Sequence, residues 1–191
     1  MVGKQAKILS DDQVEQLLAF VSTTRNPIRN RVLVLLSLKA GLRAGEIAKL
    51  IWPMVLGPQL EVATVIELRD HAAKKKSGRH IAMHPDLHGA LCELHDPSIA
   101  IGPVIRSERG DAMTPVSIVN WFSAAYRQLG FAGCSSHSGR RTFITRAARL
   151  VHKAGGSLRD VQLLAGHRSI QTTQGYIDGD SDAQRKLVAM I

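Results

Sequence analysis

The segment that most limits the fold is Val32–Leu38, a run of Val-Leu-Val-Leu-Leu-Ser-Leu. It leaves no polar face at either the helical or the strand period. It is far shorter than the ~20 apolar residues that a membrane-spanning helix needs. Asn26-Pro27 breaks the chain before it and Gly41 is a helix stop after it, so a helix is expected from about Ile28 to Ala40. A helix that is apolar nearly all round belongs at the centre of a domain, with the other elements packed about it. A chain of 191 residues can build such a core.

The remaining elements read as follows. Ser10-Asp11-Asp12-Gln13 is a capping box, and Val14, Leu17, Leu18 and Val21 follow at helical spacing. A short helix is expected over 44–50, ending before Trp52-Pro53. Val62–Leu68 and Arg79–Met83 read as two strands, joined by a basic hairpin tip, Lys74-Lys75-Lys76-Ser77-Gly78. Leu87, Leu91 and Leu94 mark a helix after Pro85. Residues 99–106 fit neither period. Thr114-Pro115 opens a helix whose inner stripe is expected at Val119, Phe122, Tyr126 and Leu129. A helix after His137 carries Phe143, Ile144, Ala147 and Val151; Ser157 caps another with Leu158, Val161 and Leu164 inward; Ser169 starts a third that reaches Tyr176. An acidic loop, Asp178–Asp182, precedes an amphipathic end with Leu187, Val188 and Met190. The expected fold class is mainly α with a small antiparallel β-sheet (α+β), in one domain over residues 1–191.

The formal net charge is +9, which suits a polyanionic partner, most economically nucleic acid. Aromatic residues make up only 4 %, which disfavours base-stacking platforms for single strands and favours a duplex held through its phosphates. Cys92 and Cys134 lie far apart without metal-ligand spacing, which argues for a reducing compartment and against a disulfide framework. The first ten residues hold no apolar signal region, so a cytoplasmic, nucleoid-associated protein is expected.

Three constellations can carry chemistry. Arg43 follows the helix stop at Gly41 and opens the next helix, which sets a guanidinium beside backbone N–H groups, a natural phosphate site. The bland alternative is a surface arginine paired with Glu46 three residues on. His137 and Arg140, at i, i+3, share one side of a helix start, where they can bind a phosphate and move a proton; the alternative is a capping histidine beside a solvated arginine. His167 follows the glycine stop Gly166, and Tyr176 comes nine residues later; a plain helix-turn-helix also fits 157–176. His84 and His88 have the i, i+4 spacing of a metal pair but no evident third ligand, so they read as surface helix residues, and no metal or cofactor is expected.

Taken together these pieces resemble the tyrosine recombinases, also called the phage integrase family. Gly41–Ile47 (G-L-R-A-G-E-I) matches the family's G-L-R-x-x-E-[IL]; His137 and Arg140 match H-x-x-R; Leu164–Tyr176 matches L-G-H-x-S-I-x-T-T-x-x-Y, apart from Ala165 before Gly166. The family also carries a lysine on a β-hairpin five residues before an arginine that opens the next strand. Counting back from Arg79 selects Lys74, with Lys75 open as an alternative. The resemblance runs from about Ile8 to the C-terminus. At the second motif members often read H-D-L-R-H, whereas this chain has Ser138, Gly139 and Arg141 around the retained pair, which should adjust phosphate geometry.

The resemblance implies a tyrosine recombinase catalytic-domain fold and phosphoryl transfer from double-stranded DNA to Tyr176, giving a 3′-phosphotyrosyl link and a free 5′-hydroxyl. A free phenol has a pKa near 10, so such a nucleophile needs help at neutral pH. Arg43 and Arg140 would neutralise the scissile phosphate, His137 would assist proton movement at the tyrosine, His167 would donate to the phosphate, and Lys74 would protonate the leaving oxygen. Exchange of one phosphodiester for another needs neither ATP nor metal. Lys75, Lys76, Arg79, Arg141 and Arg168 are expected on the DNA face. The family's N-terminal DNA-clamping domain has no counterpart in the motif order, which fits either a minimal recombinase or a catalytic fragment. The C-terminal segment would either dock on a neighbour to build a homo-tetramer on DNA or pack on its own domain. A topoisomerase-like relaxing enzyme and a non-catalytic DNA-binding regulator are the competing readings of the same scaffold.

Overall fold

The structure is a computed structural model that describes residues 6–73, 77–177 and 188–189. Lys74, Lys75 and Lys76, the acidic loop Asp178–Asp182, Leu187 and Met190 lie outside the described residues. The helices are α1 (Asp11–Ser22), α2 (Pro27–Lys39), α3 (Ala44–Ala48), α4 (Pro85–Leu94), α5 (Pro115–Gln128), α6 (Ser138–Leu150), α7 (Leu158–Ala165) and α8 (Ile170–Gln174). The strands β1 (Val65–Leu68) and β2 (Arg79–Ala82) pair antiparallel, with Val65 opposite Ala82 and Leu68 opposite Arg79.

Helix α2 is the centre. Val32–Leu38 is buried without a break, and α1, α3, α4 and α6 all pack on it. Pro27 sits in its first turn, where the missing N–H costs nothing. The chain leaves the helix at Gly41, whose φ of +64° L side chains rarely adopt, and Leu42 N–H closes the turn on Leu36 O at 3.0 Å. In α1, Ser10 and Gln13 form the expected reciprocal cap. A smaller apolar cluster of Ile144, Ala148, Val151, Val161 and Ala165 joins α6 to α7, and Tyr176 packs against it.

Several boundaries differ from the sequence expectations. The first strand is shorter because Val62 pairs alone with Leu56 in an isolated bridge that curls the chain before Val65. The helix expected over 44–50 ends at Ala48, since Ile51 bridges to Pro103 and Trp52–Met54 form a 3-10 turn. Residues 99–106 are irregular and are held by that bridge and by Arg106 opposite Ala112. In α5 the buried stripe is Ile118, Phe122, Ala125 and Tyr126; Val119 is only half-buried, one position off the inner face.

Candidate active site

The site is assembled by Arg140, which the first turn of α6 carries inward. It is 3 % exposed, and its guanidinium donates to Gly41 O (2.6 Å), to Ala165 O (2.7 Å) and to Nε2 of His167 (3.0 Å). One side chain therefore ties the turn after α2 to the end of α7. Two glycines permit this. A Cβ on Gly41 would run into the ring of Phe143, and Gly166, with φ +61°, ends α7 left-handed with the Arg79 guanidinium 2.8 Å from where a Cβ would stand. The departures at the second motif have packing roles. Ser138 is fully buried and accepts from Ser135 N–H at 3.0 Å, and Gly139 lets the Ser37 hydroxyl of α2 reach the α6 backbone.

Below Arg140 lies a buried carboxylate. Glu46, 1 % exposed, accepts from Arg43 N–H (3.0 Å), from Nη1 of Arg43 (2.9 Å) and from Nη2 and Nη1 of Arg79 (3.2 and 3.3 Å). Burial alone would raise its pKa, but the hydrogen bond and charge of Arg79 and the N–H and charge of Arg43 outweigh that and hold it below the usual carboxylate value. The pairing of Arg43 with Glu46 does not consign Arg43 to the surface; it orients a guanidinium that shares one carboxylate with Arg79, in electrostatic reach of Arg140. Burial, then the charges of Arg43 and Arg79, lower the Arg140 pKa to about 10.

An arginine N–H can only donate, so Nε2 of His167 is an acceptor and its hydrogen sits on Nδ1, facing Thr173 Oγ1 at 3.0 Å. Burial, followed by the charge of Arg140, pushes the His167 pKa down to about 4, so the ring is neutral near pH 7. Tyr176 stacks on this ring, centroids 5.4 Å apart and planes 25° apart. Its backbone is fixed by Tyr176 N–H on Thr173 O (3.1 Å) and by the Thr145 hydroxyl on Tyr176 O (3.4 Å). The guanidinium carbon of Arg141 lies 5.9 Å from the centroid of the Tyr176 ring. A basin of about 490 Å³ opens over these groups, lined by His137, Arg140, Arg141, Thr172, Gly175 and Tyr176 among others.

The structure thus brings Arg140, His137, His167 and Tyr176 to one place, with Arg43 in the electrostatic reach of both Arg140 and His167. Arg79 is a correction. It was expected on the DNA face, yet its side chain is 7 % exposed and turned inward on Glu46 and on Leu164 O (2.8 Å), because a buried carboxylate needs a second cation. Arg168 is exposed at a second hollow of about 580 Å³, lined also by Gly78, His80, Leu163 and His167. His84 and His88 do not converge: His84 caps α4 through Asp86 N–H at 3.1 Å, and Nε2 of His88 faces Val62 O at 3.1 Å. Among the described residues no group of three or more His, Cys, Asp or Glu could hold a metal ion, and no helix is long and apolar enough to cross a membrane. Cys92 and Cys134 are free thiols. Sequence reasoning gave no role to Thr173 or to Glu46 beyond a surface pair; both stood inside the quoted motifs, and their burial was the missing signal.

The phage integrase family model matches residues 7–182, nearly the whole chain. The chain belongs to the phage integrase family. Comparison with curated proteins finds no match. Among solved structures, the Tn1549 transposon integrase in complex with a circular intermediate DNA aligns with a TM-score of 0.75 at 19 % identity, over 100 % of this chain and 67 % of that one. XerA recombinase aligns with a TM-score of 0.68 at 20 % identity, covering 100 % and 65 %. A lambda integrase dimer bound to a COC′ core site aligns at 0.67 and 18 %, covering 92 % and 49 %. At these identities the likeness is one of fold: the mostly helical body with its two-stranded sheet is the tyrosine recombinase catalytic-domain fold. The chain spans from about half to about two thirds of these relatives' length.

Proposed function

We propose that the chain is the catalytic domain of a site-specific DNA recombinase that cuts double-stranded DNA with Tyr176. The observation that carries this reading is the stack of Tyr176 on His167 at a basin that also holds His137 and Arg140. A phosphate entering that basin meets Arg140 and Arg141 at its wall, with Arg43 and Arg79 in electrostatic reach of Arg140 behind them. Such fixed charges stabilise the extra negative charge of an in-line phosphoryl transfer without reorganising.

The phenolic oxygen of Tyr176 attacks phosphorus; the P–O bond to tyrosine forms and the bond to the 5′-oxygen breaks. The phenolic proton leaves by way of His137. The 5′-oxygen takes a proton from a hairpin lysine, Lys74 by its spacing and Lys75 as the alternative. Phosphate charge beside His167 opposes the burial and the arginine charges that keep its ring neutral, so Nε2 gains a proton and changes from acceptor to donor. Attack by the 5′-hydroxyl of a partner strand reverses every step.

The test uses suicide duplexes, nicked so that the cut strand loses its short 5′-hydroxyl product, tiled across the DNA that flanks the coding region. Wild-type protein should form a covalent adduct that maps to Tyr176. DNA binding without any adduct would leave the regulator reading; adducts with supercoil relaxation but no strand exchange would leave the topoisomerase one.

A further inference from the structure

We infer that Arg141 is a positioning residue for the nucleophile, acting on the Tyr176 ring, and not merely a contact to the DNA backbone; this rests on the proposed role of Tyr176. Arg141 follows Arg140 on α6, so the two guanidinium groups leave the helix about 100° apart. Arg140 turns into the core. Arg141 stays half-buried on the basin wall and covers the Tyr176 ring at 5.9 Å, within the range of a cation–π contact. Tyr176 is therefore held by two planar groups, the neutral His167 ring against which it stacks and the Arg141 cation.

These two contacts have different consequences. The neutral ring orients Tyr176 but does little to its charge. A guanidinium near a ring favours whichever state puts more negative charge on that ring, and a phenolate carries far more than a phenol. Arg141 acts by its charge and its plane; it moves no proton and breaks no bond. Its partial burial matters, because the same cation in bulk water would be screened to a small effect. Arginine also suits the place better than lysine, since its plane can lie along a ring while the stem packs on α6.

The test compares wild type with Arg141→Gln and Arg141→Lys, each checked for folding by thermal melting. On a suicide duplex that wild type cleaves, Arg141→Gln should cleave about tenfold more slowly at neutral pH. The rise of its rate with pH should move to higher pH, and Arg141→Lys should fall between the two. Replacing Tyr176 by a fluorotyrosine, a more acidic phenol, should restore much of the Arg141→Gln rate. A defect equal at every pH and untouched by fluorotyrosine would overturn the inference, as would a wild-type rate. If wild type gives no adduct at all, the recombinase reading fails, and nitration by tetranitromethane, which attacks phenolates, still decides the point off DNA. Tyr126, the second of two tyrosines, is buried and serves as the internal control. The pH at which Tyr176 becomes reactive should rise by half a unit or more in Arg141→Gln; an unchanged pH would refute the inference.

Discussion

Arg140 and His167 hold each other: Nη2 of the arginine donates to Nε2 of the histidine across 3.0 Å, between two motifs 27 residues apart in sequence. This bond fixes the tautomer of the histidine, and with burial it makes a protonated ring costly. Two groups expected to bind the same phosphate thus satisfy each other when it is absent.

Acid should unfold the domain through this pair. His167 takes up a proton at about 4 in the fold against an ordinary 6.5, so between those values the unfolded chain binds more protons. Stability is therefore full above about pH 6.5 and falls as pH drops towards 4, by about 3 kcal/mol. Glu46, whose pKa the fold lowers, adds to the loss at the acid end. Urea melts of wild type and His167→Gln from pH 7.5 to 4.5 check this; the variant should lose the part of the slope that His167 supplies.

DNA binding should take up a proton. If Nε2 becomes a donor to phosphate, affinity rises as pH falls from 8 to 6, by at most about tenfold per pH unit for one proton. Fluorescence anisotropy of a labelled duplex at constant salt, with His167→Gln as the control, measures it. Equal pH slopes in the two proteins would assign the uptake elsewhere.

Glu46→Gln should destabilise the domain more than a surface change does. It removes the anion that the buried Arg79 and the half-buried Arg43 share, and breaking a buried pair costs about 3–5 kcal/mol. Thermal melting reads the loss, and Arg43→Ala, at a more exposed end of the same network, should cost less.

Much of this was legible in the sequence. Val32–Leu38 announced the central helix because its apolar run has no polar face, and Gly41 and Gly166 marked stops that the backbone takes at positive φ. The pairing of β1 with β2 followed from alternation on either side of a basic turn. Arg79 was misread because charge alone gives no direction: an arginine at a strand start faces DNA or a buried carboxylate with the same letters. Glu46 decides it, and its burial depends on α3 folding against α5 and α2. Ile118 was missed for Val119 because both are apolar and adjacent, and helix phase is settled only by the partner.

Gly41→Ala should disturb the site from a distance. The added Cβ strains a backbone at φ +64° and pushes on Phe143, while Gly41 O is the acceptor nearest Arg140. A loss of about 1–3 kcal/mol is expected together with weaker phosphate binding. Phe143→Ala beside it should relieve the clash but not the backbone strain, so the double variant should recover stability only in part.

If Tyr176 is the nucleophile, covalently trapped DNA must be attached to its phenolic oxygen. The direct measurement is mass spectrometry of the peptide that carries covalently trapped DNA after reaction with a suicide duplex. A phosphotyrosyl link is expected at Tyr176 in wild type and none in Tyr176→Phe with DNA binding retained. An adduct on any other residue, or one that survives Tyr176→Phe, would contradict it.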